Sequence, residues 1–453
     1  MKKFVLILLI LSSFAFSQTP SDKWYFGTNA GLNFTGGAPT AIINSGMNAF
    51  EGTASIADAS GNLLFYTDGM TVWNKNNVTM TNGTGLMGNL SSTQAALIVP
   101  TPSNTNQYYI FTTDAQAGPA GLRYSVVDMS LSSGLGSVTI KNTLLLTPVC
   151  EKLAAIKDNI SGNRYWLMCH GVNNKNFYAY EINSLGIQPP VISSVGMVHK
   201  STPNTNMIGQ MKFNSCGYQI ALAGGMLDTV QVFNFSKLTG QVTNPITIPV
   251  NSFPYGIEFS TPVNNMLYVT TSNSLQTLVQ YDLYAGSQPS IIASKLIIST
   301  SPSLTAMQSG PDGNLYISKA GSNFVGRINN SSSPGALCNF VINSINLDPL
   351  SIGIKCSWGL PSFAVDNYFP CGIVGVPDEK KQKENNLVYP NPTSNAFNLK
   401  AEVGLFIEVY SHTGDLIDKF RTHKDNVVFG EKYLPGIYFV RINGETTIKA
   451  IKN

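Results

Sequence analysis

The sequence predicts an all-β protein: a seven-bladed β-propeller followed by a small C-terminal β-sandwich. Three observations predict it. Short apolar runs rich in aromatic and β-branched residues recur after turn residues, with successive starts 45, 56, 55, 48 and 48 residues apart. Charged residues are only 12% of the 453-residue chain while Gly numbers 40, a balance that suits short strands joined by many turns. Beyond residue 386 the pattern changes to short alternating strands with Gly at the turns. A period of about 40 to 50 residues with several strands per unit is the signature of propeller blades.

Taken in order, the chain opens with Lys2 and Lys3, the apolar run Phe4 to Leu11 and a small-residue stretch Ser12 to Ser17. This is the layout of a secretory signal peptide over residues 1–17, too short to span a bilayer as a helix. Residues 18–371 form the body. Its recurring runs begin at Gly61, Asn106, Gly162, Gly217, Asn265 and Gly313. Each follows a short strand of small residues, for example Glu51 to Ala57 and Gly256 to Phe259. Small residues are expected where blades crowd around an axis. The following run is apolar on both faces because it is sandwiched between neighbours. A seventh strand of the first kind, Trp358 to Phe363, has no hairpin partner after it. The N-terminal strands Trp24 to Phe26 and Leu32 to Phe34 are expected to complete it, which would remove an exposed edge. Residues 372–386 end in the polar run Asp378 to Asn386 and form a linker. Residues 387–453 form the C-terminal sandwich of about seven short strands, on its alternating patterns.

The segments Leu387-Val388-Tyr389-Pro390-Asn391-Pro392, Ile407 to Tyr410, Leu434 to Val440 and Thr447 to Asn453 occur in order. Together they resemble the type A C-terminal sorting domain of the type IX secretion system. That resemblance implies recognition by the secretion machinery, removal by a sortase within the linker, and attachment of the mature protein to surface lipopolysaccharide. With the signal peptide, it implies a secreted or outer-membrane surface location in a Gram-negative bacterium. The stretch Trp24 to Phe34, with Asp58 to Gly69, Ser91 to Pro100 and Trp358 to Phe363, resembles a recurrent cell-surface propeller family of the bacteria that use this system. The family supplies no catalytic residues to carry over.

Charge narrows the partners. Residues 18–376 carry 15 Lys or Arg and 15 Asp or Glu, with no basic run, so a nucleic-acid partner is not expected. No stretch after the leader is long and apolar enough to cross a membrane as a helix. The six cysteines, at 150, 169, 216, 338, 356 and 371, include no Cys-x-x-Cys pair, and the chain has four histidines. Neither a metal site nor a cofactor is expected on that basis. In an oxidising compartment the expected fate of the cysteines is disulfides. Cys338 with Cys356 would close one short excursion. Cys150 with Cys169 would be joined across a hairpin turning near residues 159–163.

No catalytic set stands out. Gly-x-Ser-x-Gly is absent, and the body holds only Arg123, Arg164 and Arg327 for an arginine triad. His170 falls at a strand end, where a structural role is expected. One constellation does emerge. Aligning the small-residue strands on their turn glycines places Lys212, Glu258 and Gln308 in equivalent positions on consecutive blades, facing the central channel. Glu51, Lys152 and Trp358 are expected near one mouth of it. Propellers bind ligands at such mouths. The expected function is a surface binding or adhesion module for a glycan, protein or matrix component. The alternatives are a polysaccharide hydrolase or lyase using channel carboxylates such as Glu51 and Glu258, and a structural scaffold of surface assemblies.

Overall fold

The computed structural model describes residues 19–366 and 387–453, apart from 159–162, 202–205, 273–275, 401–402, 413–414, 425 and 443–445. The leader, the linker and Cys371 lie outside the described residues. The chain divides into two compact units, Met1–Gly372 and Ile373–Asn453.

The larger unit is built from successive antiparallel meanders, the local geometry of a β-propeller. It opens with a three-stranded sheet, Lys23–Phe26, Ala30–Asn33 and Thr40–Ile42. Two four-stranded meanders follow, one from Ala54–Ala57 to Thr79–Thr84 and one from Ala96–Pro100 to Ser137–Leu146. A single parallel bridge between Ser137 and Thr81 joins their outer edges. The next sheet contains Val149–Asp158, Arg164–Gly171, Asn174–Asn183 and Val191–His199. Three regular four-stranded meanders complete the series, starting at Met211–Phe213, Pro254–Phe259 and Leu304–Ser309.

The six runs that mark the repeat in sequence are the second strands of six successive meanders, such as Leu63–Thr67 and Met266–Thr271. Their apolarity follows from position. Met266–Thr271 is buried at every residue because other sheets cover both its faces. The first strands crowd one another as expected. A Cβ at Gly52 would overlap the Ala95 backbone, and one at Gly359 would overlap the Glu51 carbonyl.

The segment 355–365 ties both ends of this unit together. Thr28 and Lys355 exchange backbone hydrogen bonds of 2.9 and 3.2 Å. Trp358 N–H donates to Phe50 O, and Ala306 N–H donates to Trp358 O. Further on, Pro361, Phe363 and Ala364 bridge in parallel to Thr53, Ile98 and Ala155, the first strands of three consecutive meanders. Trp24, Phe26, Leu32 and Phe34 pack into one core with Tyr316 and Val325 of the last meander and Leu360 of this segment.

The second unit has a three-stranded sheet, Leu387–Tyr389, Phe397–Lys400 and Asn426–Phe429. Its four-stranded sheet contains Leu416–Arg421, Phe406–Ser411, Gly436–Ile442 and Thr446–Lys452. Alternate residues such as Ile407, Val409, Val440 and Ile442 point into a core with Phe397 and Leu399.

The expected disulfides are not formed. Cys150, Cys169, Cys338 and Cys356 are buried free thiols. Cys338 and Cys356 sit in different apolar clusters, one around Met307 and Ile317 and the other around Trp24 and Leu347. Cys150 and Cys169 are likewise separated: Cys169 packs with Leu153 and Leu167, whereas Cys150 packs with Val172 and Met207. Strand alternation sends the two side chains to opposite faces of their sheet.

Candidate binding site in the larger unit

Lys212, Glu258 and Gln308 come from the first strands of three consecutive meanders, and the fold brings their side chains together. Lys212 Nζ donates to Gln308 Oε1 at 2.5 Å and lies 3.5 Å from Glu258 Oε2. Glu258 is further held by the backbone N–H groups of Phe259 and Ser309, both at 3.1 Å. Gln308 Nε2 donates to Ser309 O. Burial pushes Lys212 down and Glu258 up, and their attraction for each other opposes both shifts. A buried pair of this kind contributes little net stability, because desolvation offsets the attraction. Its value is positional. The three residues line a cavity of about 70 Å³, which Phe213, Phe259 and Phe363 also line. Among the described residues, two acceptors engage the ammonium of Lys212, which carries three protons.

Glu51, Trp358 and Lys152 belong to a second arrangement. Trp358 meets the Tyr255 ring edge-on at 5.2 Å. The Glu51 carboxyl is buried, with Oε2 lacking a hydrogen-bond partner among the described residues. Burial, then the neighbouring Glu151 carboxylate, push Glu51 from the ordinary 4.5 up to about 8. Lys152 is fully buried and donates to Ile208 O at 2.7 Å and Gly209 O at 3.0 Å. Burial pushes it down to about 8. Glu258 therefore partners Lys212, and Glu51 neighbours Glu151.

Sequence reading did not single out Glu151, Thr93 or Tyr255. Glu151 Oε2 accepts from both the N–H and the hydroxyl of Thr93 at 2.9 Å, and its Oε1 accepts from Gln116 N–H at 2.8 Å. Nor did it find the two glutamines that stitch first strands together. Gln94 accepts from Leu153 N–H and Met211 N–H and donates to both their carbonyls, at 2.8 to 3.2 Å. Gln210 accepts from Ile257 and Met307 N–H and donates to Met307 O. Each amide acts as a detached peptide group between strands of different sheets. The available signal was a buried-looking Gln at the head of a small-residue strand.

Residues 387–453 match the family described as "Secretion system C-terminal sorting domain". No curated protein matches the chain. Among solved structures, the chain is similar to PorZ of Porphyromonas gingivalis, a surface component of the type IX secretion system. That match has 10% identity and a TM-score of 0.29 and covers 96% of this chain and 69% of PorZ. A protein from Lactobacillus plantarum is similar at 12% identity and TM-score 0.46, covering 75% and 98% of the two chains. A β-propeller domain from Myceliophteria thermophila is similar at 9% identity and TM-score 0.40, covering 67% and 94%. Among the described residues no helix is long and apolar enough to cross a membrane. The chain is a secreted or cell-surface protein, in which a β-propeller body carries a type IX secretion system C-terminal sorting domain at residues 387–453.

Proposed function

We propose that the body is a surface binding module whose ligand seats at the Lys212–Glu258–Gln308 cavity. The carrying observation is the pre-positioned ammonium of Lys212. Glu258 and Gln308 fix it, yet one of its protons has no acceptor among the described residues. An ammonium with a spare donor beside phenylalanine rings suits a hydroxyl- or carbonyl-rich ligand, a glycan before a peptide. The body is proposed to close as seven blades, with the N-terminal strands completing the one begun by Trp358 to Phe363. The Thr28–Lys355 bonds and the shared Trp24–Leu360 core support that closure. Delivery is proposed to include removal of residues 1–17, cleavage within 372–386 and attachment to surface lipopolysaccharide.

The test is a glycan and peptide array probed with the full chain and its Lys212→Met and Glu258→Gln variants. The expected result is one ligand class bound by the wild type and lost at least about tenfold in both folded variants. Equal binding by all three proteins would remove the proposal. A hydrolase reading has one observation in its favour, the Glu51 carboxyl held protonated at neutral pH. Against it, Glu151 spends both oxygens on Thr93 and Gln116. Polysaccharide turnover abolished by Glu51→Gln would establish the hydrolase in place of the binding module.

A further inference from the structure

We propose that Cys150, His170 and His199 form a binding site for a thiophilic metal ion, monovalent copper. The three residues are far apart in sequence, which is why spacing gave no hint of a metal site. They converge because the strands Val149–Asp158, Arg164–Gly171 and Val191–His199 share one sheet. Val149 pairs with Gly171, and Asn174 pairs with His199, so all three side chains arise at one end of that sheet. One ligand atom from each lies within 4.8 Å of the others. The two imidazole rings are 4.1 Å apart. Bonds of about 2.0 to 2.3 Å to a shared metal would place the ligand atoms roughly 3.5 Å apart, a contraction that rotamer adjustment supplies.

His199 already holds the tautomer a metal needs, while the His170 nitrogen 4.0 Å from Cys150 Sγ is its Nδ1. His170 Nδ1 lies 2.8 Å from Gly171 O, and His199 Nδ1 lies 2.9 Å from Asn206 O. Each Nδ1 therefore carries the proton, and each Nε2 keeps its lone pair. Backbone carbonyls holding Nδ1–H are the usual outer support of a ligating histidine. His199 Nε2 is buried and has no hydrogen-bond partner among the described residues. Buried polar atoms are normally satisfied, so this lone pair marks an unfilled coordination position.

Charge and softness choose the ion. Cys150 is the one ligand that becomes anionic. Its Sγ donates to Gly171 O at 3.3 Å, and binding would release that proton to solvent. Thiolate plus a monovalent ion is neutral. A divalent ion would leave net positive charge in a site whose three ligands are all buried. Met207 packs against Cys150 in the same buried cluster, which adds a soft thioether. Thiolate and thioether surroundings select monovalent copper.

The test is anaerobic titration of the full chain with Cu(I) against a chromophoric chelator, with Zn(II) titrated in parallel. One Cu(I) per chain is expected, with Zn(II) bound more weakly. Cys150→Ser and His199→Gln should each lower Cu(I) affinity on the order of 100-fold. Cys338→Ser, which alters a buried thiol in another core, should leave it unchanged. Circular dichroism and Tm identify any variant that fails to fold, and the remaining variant carries the comparison. Substoichiometric Cu(I), a folded variant that binds as tightly as the wild type, or preference for Zn(II) would each overturn the assignment.

Discussion

At Glu51, burial and the Glu151 carboxylate act in the same direction and favour the protonated acid, with a pKa of about 8 against an ordinary 4.5. Between those values the folded chain holds a proton that the unfolded chain has released. Stability therefore falls as pH rises through this window. Glu51→Gln should stabilise the protein at pH 8 by about 2 to 4 kcal/mol, and the gain should vanish toward pH 5. Urea unfolding of both proteins at the two pH values measures it, and a pH-independent difference would refute it. His170 works with the opposite sign. Its folded pKa of about 3 lies below the ordinary 6.5, so its contribution is lost as pH falls through that range in both proteins. A second residue-scale expectation concerns Gly359, whose missing Cβ lets the closing segment approach the Glu51 carbonyl. Gly359→Ala should cost about 3 kcal/mol. Gly326→Ala meets the edge of the Phe340 ring at 3.2 Å and two backbone carbonyls at ordinary contact distance, and should cost under about 1 kcal/mol. Comparable midpoints for the two variants would show that the closing segment yields more easily than its contacts imply.

Among the strands, the bonds that matter most are those a local pattern does not reveal. The period of the apolar runs was legible because each run repeats the same burial, between two neighbouring sheets. Lys212, Glu258 and Gln308 were legible as a set for the same reason: each occupies one position of a repeating strand. Gln94 and Gln210 were not, since their partners Leu153, Met211 and Met307 lie many residues away and become neighbours only in the folded body. The Cys150–His170–His199 cluster was hidden likewise, and the expected disulfides failed because proximity in sequence says nothing about which face a cysteine takes. Gln94→Leu tests the stitching directly. It would leave the N–H and C=O groups of Leu153 and Met211 without their partner, at a cost of about 3 kcal/mol in urea unfolding. Gln210→Leu should cost about the same, because it strands the N–H groups of Ile257 and Met307. Losses under about 1 kcal/mol in both would mean that water replaces the amides, and that the first strands are held by packing alone.

Considered whole, the chain carries its destination in the sorting domain. Each unit encloses its own core: Phe397, Ile407 and Val440 belong to one, and Trp24, Tyr316 and Leu360 to the other. The sorting domain was legible almost completely, because its strands alternate cleanly and its marker segments are short and ordered. The proposed ligand site was less so, because convergent side chains rather than a motif form it. Separate cores imply separable stability. Deleting residues 387–453 should remove one calorimetric transition and leave the body's Tm within about 2 °C of its original value. It should also redirect the protein. In a host with a type IX system, the intact chain should reach the surface or medium, whereas the truncated chain should accumulate folded in the periplasm. Fractionation with an antibody against the body distinguishes the two. A truncated chain exported at the intact level would place the address in the propeller, and a body that unfolds on truncation would show that the two units depend on each other.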